Sequence, residues 1–159
     1  MNKSILAATS LAVAAAAGIG SIASPARTPA WYARIRKPPY QPPGVVFPLV
    51  WTTVYTDIAG TSAVAIDRFN TAAQPDKSRA YTAALAANLI LNAGWSWLFF
   101  RQHKLGASVL GAAALTASSA DLARRAAEAD PRAGRALLPY PLWCGFATVL
   151  STHIWLLNR

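Results

Sequence analysis

With 159 residues the chain has room for one domain, or for one compact bundle of membrane helices. Apolar residues make up 54% and charged residues only 13%, against about 25% charge in a soluble globular domain, and the deficit points toward lipid. The net charge of +9 is scattered through short segments between apolar stretches. It forms no basic helix face and stands beside no aromatic RNA-binding signature, which argues against nucleic acid and leaves anionic headgroups as its natural counterpart. Cys144 is the only cysteine, so an internal disulfide framework is excluded. Its apolar neighbours make it a small core residue.

Five stretches are long enough to cross a hydrocarbon core of about 30 Å, which takes roughly 20 helical residues. They cover residues 4–24, 45–66, 81–100, 105–122 and 137–157. In lipid the backbone must satisfy its own hydrogen bonds, and no alternating strand pattern is present, so the expected fold is an all-α integral membrane bundle of five transmembrane helices in a single domain. Mean hydropathy is only +0.29, because alanine rather than leucine dominates the apolar content and Ser and Thr are interspersed.

The first stretch has two readings. Lys3, an apolar run and the small residues from Ser21 to Ala26 also describe a secretory signal peptide. Its run is long for that role, and the bundle would lose a wall without it.

Residues 25–44 are different in kind. They carry Trp31, Tyr32, Arg34, Arg36, Lys37 and Tyr40 among Pro29, Pro38, Pro39, Pro42 and Pro43. Proline fixes φ and removes a donor, so this loop is expected to be stiff and non-helical for much of its length. The rings match an interfacial aromatic belt, with basic residues at headgroup depth. The segment is either an anchored connector or a lid over the bundle mouth. Orientation is set by basic residues, whose numbers are nearly equal on the two sides. The side holding Arg27, Arg34, Arg36, Lys37, Arg101, Lys104 and Arg159 contains no acid and is assigned to the cytoplasm.

Three helices carry aromatic faces. The second places Phe47, Trp51, Tyr55 and Ile58 at helical spacing, the third Asn88, Asn92, Trp95 and Phe99, and the fifth Trp143, Ala147, Leu150 and Ile154. Amides facing lipid are costly, so the third stripe should turn inward, as structural bridges between helices, as ligand contacts, or as both. Three such faces would enclose a flat apolar slot. Asp57 is the one carboxylate well inside a span, suited to a proton step, to a cationic partner or to a buried hydrogen bond. Small residues at Gly106, Ala107, Gly111, Ala112, Ala114 and Ser118 allow close helix approach, within the chain or in a homodimer. No nucleophile motif, phosphate loop or paired acids are present. His103 and His153 have no metal-site spacing, and His153 as an axial haem ligand is the remaining metal reading.

Three ordered blocks resemble the TspO/translocator protein family, the tryptophan-rich sensory proteins also called peripheral-type benzodiazepine receptors. They are Trp31-Tyr32, Lys37-Pro38, Tyr40, Pro42-Pro43, Phe47, Val50-Trp51 and Tyr55; then Leu89, Leu91-Asn92, Trp95-Ser96 and Phe99-Phe100; then Pro139-Tyr140, Trp143, Phe146-Ala147, Leu150, Ile154-Trp155 and Asn158. The resemblance implies a five-helix, multi-pass membrane protein, often a homodimer, here of a bacterial inner membrane, with the first segment retained. It implies a cavity for porphyrins such as protoporphyrin or haem, held as ligand rather than as a tightly bound cofactor, with roles in porphyrin handling and stress signalling. On this reading the ligand residues are Tyr32, Phe47, Trp51, Tyr55, Asn88, Asn92, Trp95, Trp143, Phe146, Ala147 and Leu150. Trp51 and Trp143 stack on the macrocycle, Asn92 donates a hydrogen bond, and Arg34, Arg36 and Lys37 meet the propionates. Trp31, Lys37, Pro38, Tyr40, Pro42 and Pro43 form the lid. Some family members are reported to degrade porphyrin in light, which would make Trp51 and Trp143 redox groups. Transport is a further alternative, without an energy-coupling motif here. Departures from the family pattern are Asn88 for Gln, Trp97 for Pro, Ser151 for Asn and Ile58-Ala59 for Met-Gly. The Tyr of the proposed cholesterol motif is absent from Val149 to Arg159.

Overall fold

The computed structural model describes residues 1–24 and 29–159, so the first part of the expected lid, residues 25–28, lies outside the described residues. The described chain is helical throughout, without strands: α1 (Lys3–Ala23), α2 (Ala30–Arg34), α3 (Val46–Thr71), α4 (Pro75–Ser96) continuing into a π-helical turn (Trp97–Arg101), α5 (Leu105–Ala129), α6 (Pro131–Ala136) and α7 (Pro139–Leu157).

The five long helices coincide with the five expected stretches, but three extend well beyond them, α3 running on to Thr71 rather than stopping at residue 66. Hydropathy places the end of the fourth stretch at residue 122, whereas α5 runs on to Ala129. Its last turns are held by charge pairs: Arg125 to Asp121 at 2.6 Å, Arg124 to Asp121 at 2.7 Å, and Arg124 to Glu128. Likewise α4 begins at Pro75 rather than near Tyr81, with proline in its first turn and Asp76 at the positive end of the helix dipole. The short helices α2 and α6 were not expected. Asp130 starts α6 by accepting from the backbone N–H of Arg132 at 2.8 Å, and these backbone N–H groups hold its carboxyl below the usual range.

Among the described residues three helical segments are long and apolar enough to cross a membrane: α1, α4 with its π turn (Pro75–Arg101), and α5. With 26 and 19 residues, α3 and α7 are comparable in length, but their Trp, Tyr, Thr and Pro lower the hydropathy. The surface is inverted relative to a water-soluble protein. Leu11, Ile90, Leu110 and Leu142 are 72%, 72%, 73% and 74% exposed, while Asn88, Ser62, Ser108 and Ser119 are fully buried. Apolar side chains outside and polar groups paired inside are what a hydrocarbon solvent favours.

Helix α1 is a packed wall rather than an appendage. Val13 and Ala16 are buried, and the Thr9 hydroxyl donates to the Ala59 carbonyl of α3 at 2.9 Å. At the other end the Trp97 indole N–H donates to the Ile19 carbonyl at 3.1 Å. Between α3 and α4 the chain turns through Ala73 at φ 54°, a left-handed conformation that a Cβ disfavours. Ala73→Gly is therefore expected to stabilise the fold by about 1 kcal/mol, read as a higher midpoint of thermal unfolding.

Candidate functional site

The site is built where α3, α4 and α7 converge beneath α2. On α3 the rings of Trp51 and Tyr55 lie 5.5 Å apart, and Phe47 meets Trp143 of α7 edge-on at 5.9 Å. On α4 the ring of Trp95 stacks on that of Phe99 at 5.4 Å. The π turn widens the helix directly after this point and adds Phe100, 4.9 Å from Phe99. Phe99, Leu150 and Ile154 form a small core to which Trp31, Tyr32, Phe47, Trp95 and Phe146 attach. Trp51 and Tyr55 pack instead against the larger core that holds Ile58 and Tyr140, and Trp51 and Trp95 face each other across a small cavity between the two clusters.

The segment read as connector or lid packs onto the Phe99 cluster. Trp31 and Tyr32, on the single turn of α2, both pack on Phe99 at 5.9 Å. His103 stacks flat on Trp31 at 3.9 Å and 11°. Farther along, the Tyr40 hydroxyl and His153 Nδ1 are 3.1 Å apart. Asn158 clamps the backbone of Arg36 from both sides, accepting from its N–H at 2.9 Å and donating to its carbonyl at 2.8 Å. Gln41 donates to the Tyr32 hydroxyl at 2.9 Å, and burial pushes that phenol above its ordinary value despite the bond. Pro38 is buried, Pro42 is half-buried and Pro43 is exposed. The Lys37 ammonium sits 4.7 Å from the centre of the Tyr32 ring and donates to the Ile35 carbonyl, so it is turned onto the loop itself. Arg34 and Arg36 remain exposed.

The two amides serve as structural bridges between helices. Asn92 accepts from the Tyr55 hydroxyl at 2.8 Å and donates to the Tyr140 hydroxyl at 3.0 Å. Tyr140 in turn donates to Asn88 at 2.8 Å, and Asn88 donates to Ser118 at 3.1 Å. One chain of bonds thus ties α3, α4, α7 and α5 together. Asn92 thus spends one of its two amide hydrogens on Tyr140 and its oxygen on Tyr55, and Asn88 bridges Tyr140 to Ser118. The unpartnered polar atoms are elsewhere: the indole Nε1 atoms of Trp95 and Trp143 are buried without a hydrogen-bond partner among the described residues, as is Gln41 Oε1. Buried donors of this kind are uncommon.

Tyr140 is the site residue that periodicity could have found. It precedes Trp143, Cys144 and Ala147 at i+3, i+4 and i+7, on the same helical face. Cys144, Ala112 and Leu115 join Trp51, Trp95 and Ala147 around a cavity of about 10 Å3, room for roughly one water. In this arrangement the slot is filled by its own rings rather than open. His153 is turned onto the lid through Tyr40, and no group of three metal-ligating side chains occurs among the described residues.

The TspO/MBR family profile matches residues 8–156, from inside α1 to the end of α7. The chain belongs to the TspO/MBR family. Protein CrtK of Rhodobacter capsulatus is 28% identical over 99% of this chain and 95% of its own length. The tryptophan-rich protein TspO of Chlorobaculum tepidum is 29% identical over 99% of both chains. The human translocator protein is 26% identical over 79% of this chain and 73% of its own. Membership, together with the apolar exterior, makes the chain an integral membrane protein.

Proposed function

We propose that this chain spans the membrane with five helices, α1, α3, α4, α5 and α7, and binds a flat hydrophobic tetrapyrrole such as protoporphyrin or haem. The binding place is the aromatic cluster under α2. The observation that carries this reading is the pair of buried indole N–H groups on Trp95 and Trp143 with no partner, inside a cluster of stacked rings. A ligand with a π face and a few acceptors satisfies both features together, since rings stack on its faces and the indoles donate to its edge. Entry requires α2 and its loop to lift, because the cavity beneath holds about 10 Å3. The fastenings are ring contacts of Trp31, Tyr32 and Tyr40 with Phe99, Phe100, His103 and Phe146, the contact of Tyr40 with His153, and the Asn158 clamp on Arg36. A bacterial inner membrane, a homodimer and a role in porphyrin handling belong to the same reading, the first in keeping with the bacterial relatives.

Protoporphyrin titrated into the purified protein is expected to quench tryptophan fluorescence saturably. Trp143→Phe, which deletes one donor and keeps a ring, should weaken binding by about threefold to tenfold. A linear, non-saturating response would remove the tetrapyrrole. Illuminating the complex tests whether the family's light-driven chemistry operates here. A new absorbing product that disappears in Trp51→Phe and Trp143→Phe makes the site an enzyme's, and quenching without a product makes it a receptor's.

A further inference from the structure

Outside the aromatic cluster, an open cleft of about 440 Å3 lies between α3 and α6, bounded by Asp57, Gly60 and Val64 on one side and Arg132, Ala133 and Ala136 on the other. Asp57 stands near the middle of the 26-residue α3 and is half-buried. Its backbone carbonyl accepts from Thr61 at 2.6 Å, but its carboxylate enters none of the ion pairs among the described residues. Two other charges on the cleft wall are already matched: Asp130 with Arg68 at 3.4 Å, and the amino group of Met1 with Asp67 at 3.6 Å. One turn from Asp57, Gly60 keeps the floor open, since a Cβ there would meet nothing within 4 Å.

A carboxylate at mid-span beside lipid is costly unless a cation meets it. Beside Thr56 and Thr61 the walls near it are formed by Gly60, Val64, Ala133 and Ala136, which suit an apolar body rather than a hydrated metal ion. Arg132 lines the same cleft, so a single positive charge suits it better than two. We propose that this cleft is a second binding site, separate from the aromatic cluster, for a hydrophobic monocationic amine. The ammonium pairs with Asp57, and the apolar body lies along Gly60, Val64, Ala133 and Ala136.

The test uses the full chain in phosphatidylcholine nanodiscs, with dodecylamine as probe and dodecanol as the control for simple partitioning. Dodecylamine is expected to raise the thermal midpoint saturably, and dodecanol is not. Asp57→Asn removes the charge, and Gly60→Leu fills the cleft while improving helix propensity. Each should move the dodecylamine titration to about tenfold higher concentration or beyond. Gly60→Leu keeps the question decidable if Asp57→Asn fails to fold. Equal responses to the amine and the alcohol, or a Gly60→Leu variant that titrates like the parent, would overturn the proposal. So would displacement of protoporphyrin by saturating dodecylamine, which would place the amine in the aromatic cluster. Failure of protoporphyrin to bind at all leaves this result unaffected.

Discussion

Replacing Gly134 by alanine is expected to be among the most damaging single-methyl changes in the protein, costing about 3 kcal/mol or more. Where α6 folds back on the end of α5, a Cβ on Gly134 would run into the Ala127 side chain. It would also lie 2.6 Å from the Ala127 Cα and 2.7 Å from its backbone nitrogen. Those are main-chain atoms of a regular helix, with no flexible end to swing away. Relief therefore requires α6 to move as a body. Such a shift would pull Asp130 away from Arg68 and spoil the cap that starts α6. Gly60→Ala is the internal comparison. It adds the same methyl group in a helix interior where nothing stands within 4 Å, and it should be neutral or stabilising by about 0.5–1 kcal/mol. Unfolding midpoints of the two variants in one detergent decide the matter. Equal midpoints would mean that α5 and α6 are not this close.

Tyr140→Phe is expected to cost about 2 kcal/mol although it removes a single oxygen. That hydroxyl accepts from Asn92 and donates to Asn88, and Tyr140, Asn88 and Asn92 are 0%, 0% and 2% exposed. Its loss strands one amide hydrogen and one amide oxygen where water cannot reach them. Bridges between membrane helices average only about 0.6 kcal/mol, so most of the effect comes from stranding two groups at once. Tyr55→Phe deletes only the bond to Asn92 and should cost about half as much. Denaturation of both single variants and of the double variant would show the coupling through Asn92. Equal effects from the two phenylalanines would remove Tyr140 as the hub of the network.

These effects bear on function because the network sets the spacing between the helices that carry the aromatic cluster. Trp51 and Tyr55 share α3, Trp95 follows Asn92 on α4, and Trp143 follows Tyr140 on α7. Tyr55, Asn92 and Tyr140 thus each stand about one turn from an indole. The polar chain fixes the frame, and the rings fill it.

Much of this arrangement was legible in the sequence. Apolar length alone located the five long helices, because hydrocarbon leaves a backbone little choice but to bond to itself. Helical spacing alone put Phe47, Trp51 and Tyr55, or Asn88, Asn92, Trp95 and Phe99, on common faces, because a repeat of 3.6 residues is a local property of the chain. The residues of the three ordered blocks were enough to indicate the family. The helix ends past residue 122 and before Tyr81 escaped, because there charge pairs and capping, not hydropathy, continue the helix.

What the sequence could not decide is which atoms are spent on which partners. Asn92 looks free until α3 and α7 bring Tyr55 and Tyr140 to it, and the Trp95 and Trp143 indoles look ordinary until nothing arrives beside them. Lys37 reads as a ligand for an anion until the loop curls it over Tyr32. Asp57 and Arg132 are 75 residues apart in the chain and share a cleft only because α6 folds against α3. Helix type and facing follow from neighbours a few residues away and can be read from one chain. Hydrogen-bond satisfaction and open volume depend on groups brought together from distant positions, so only the packed bundle determines them.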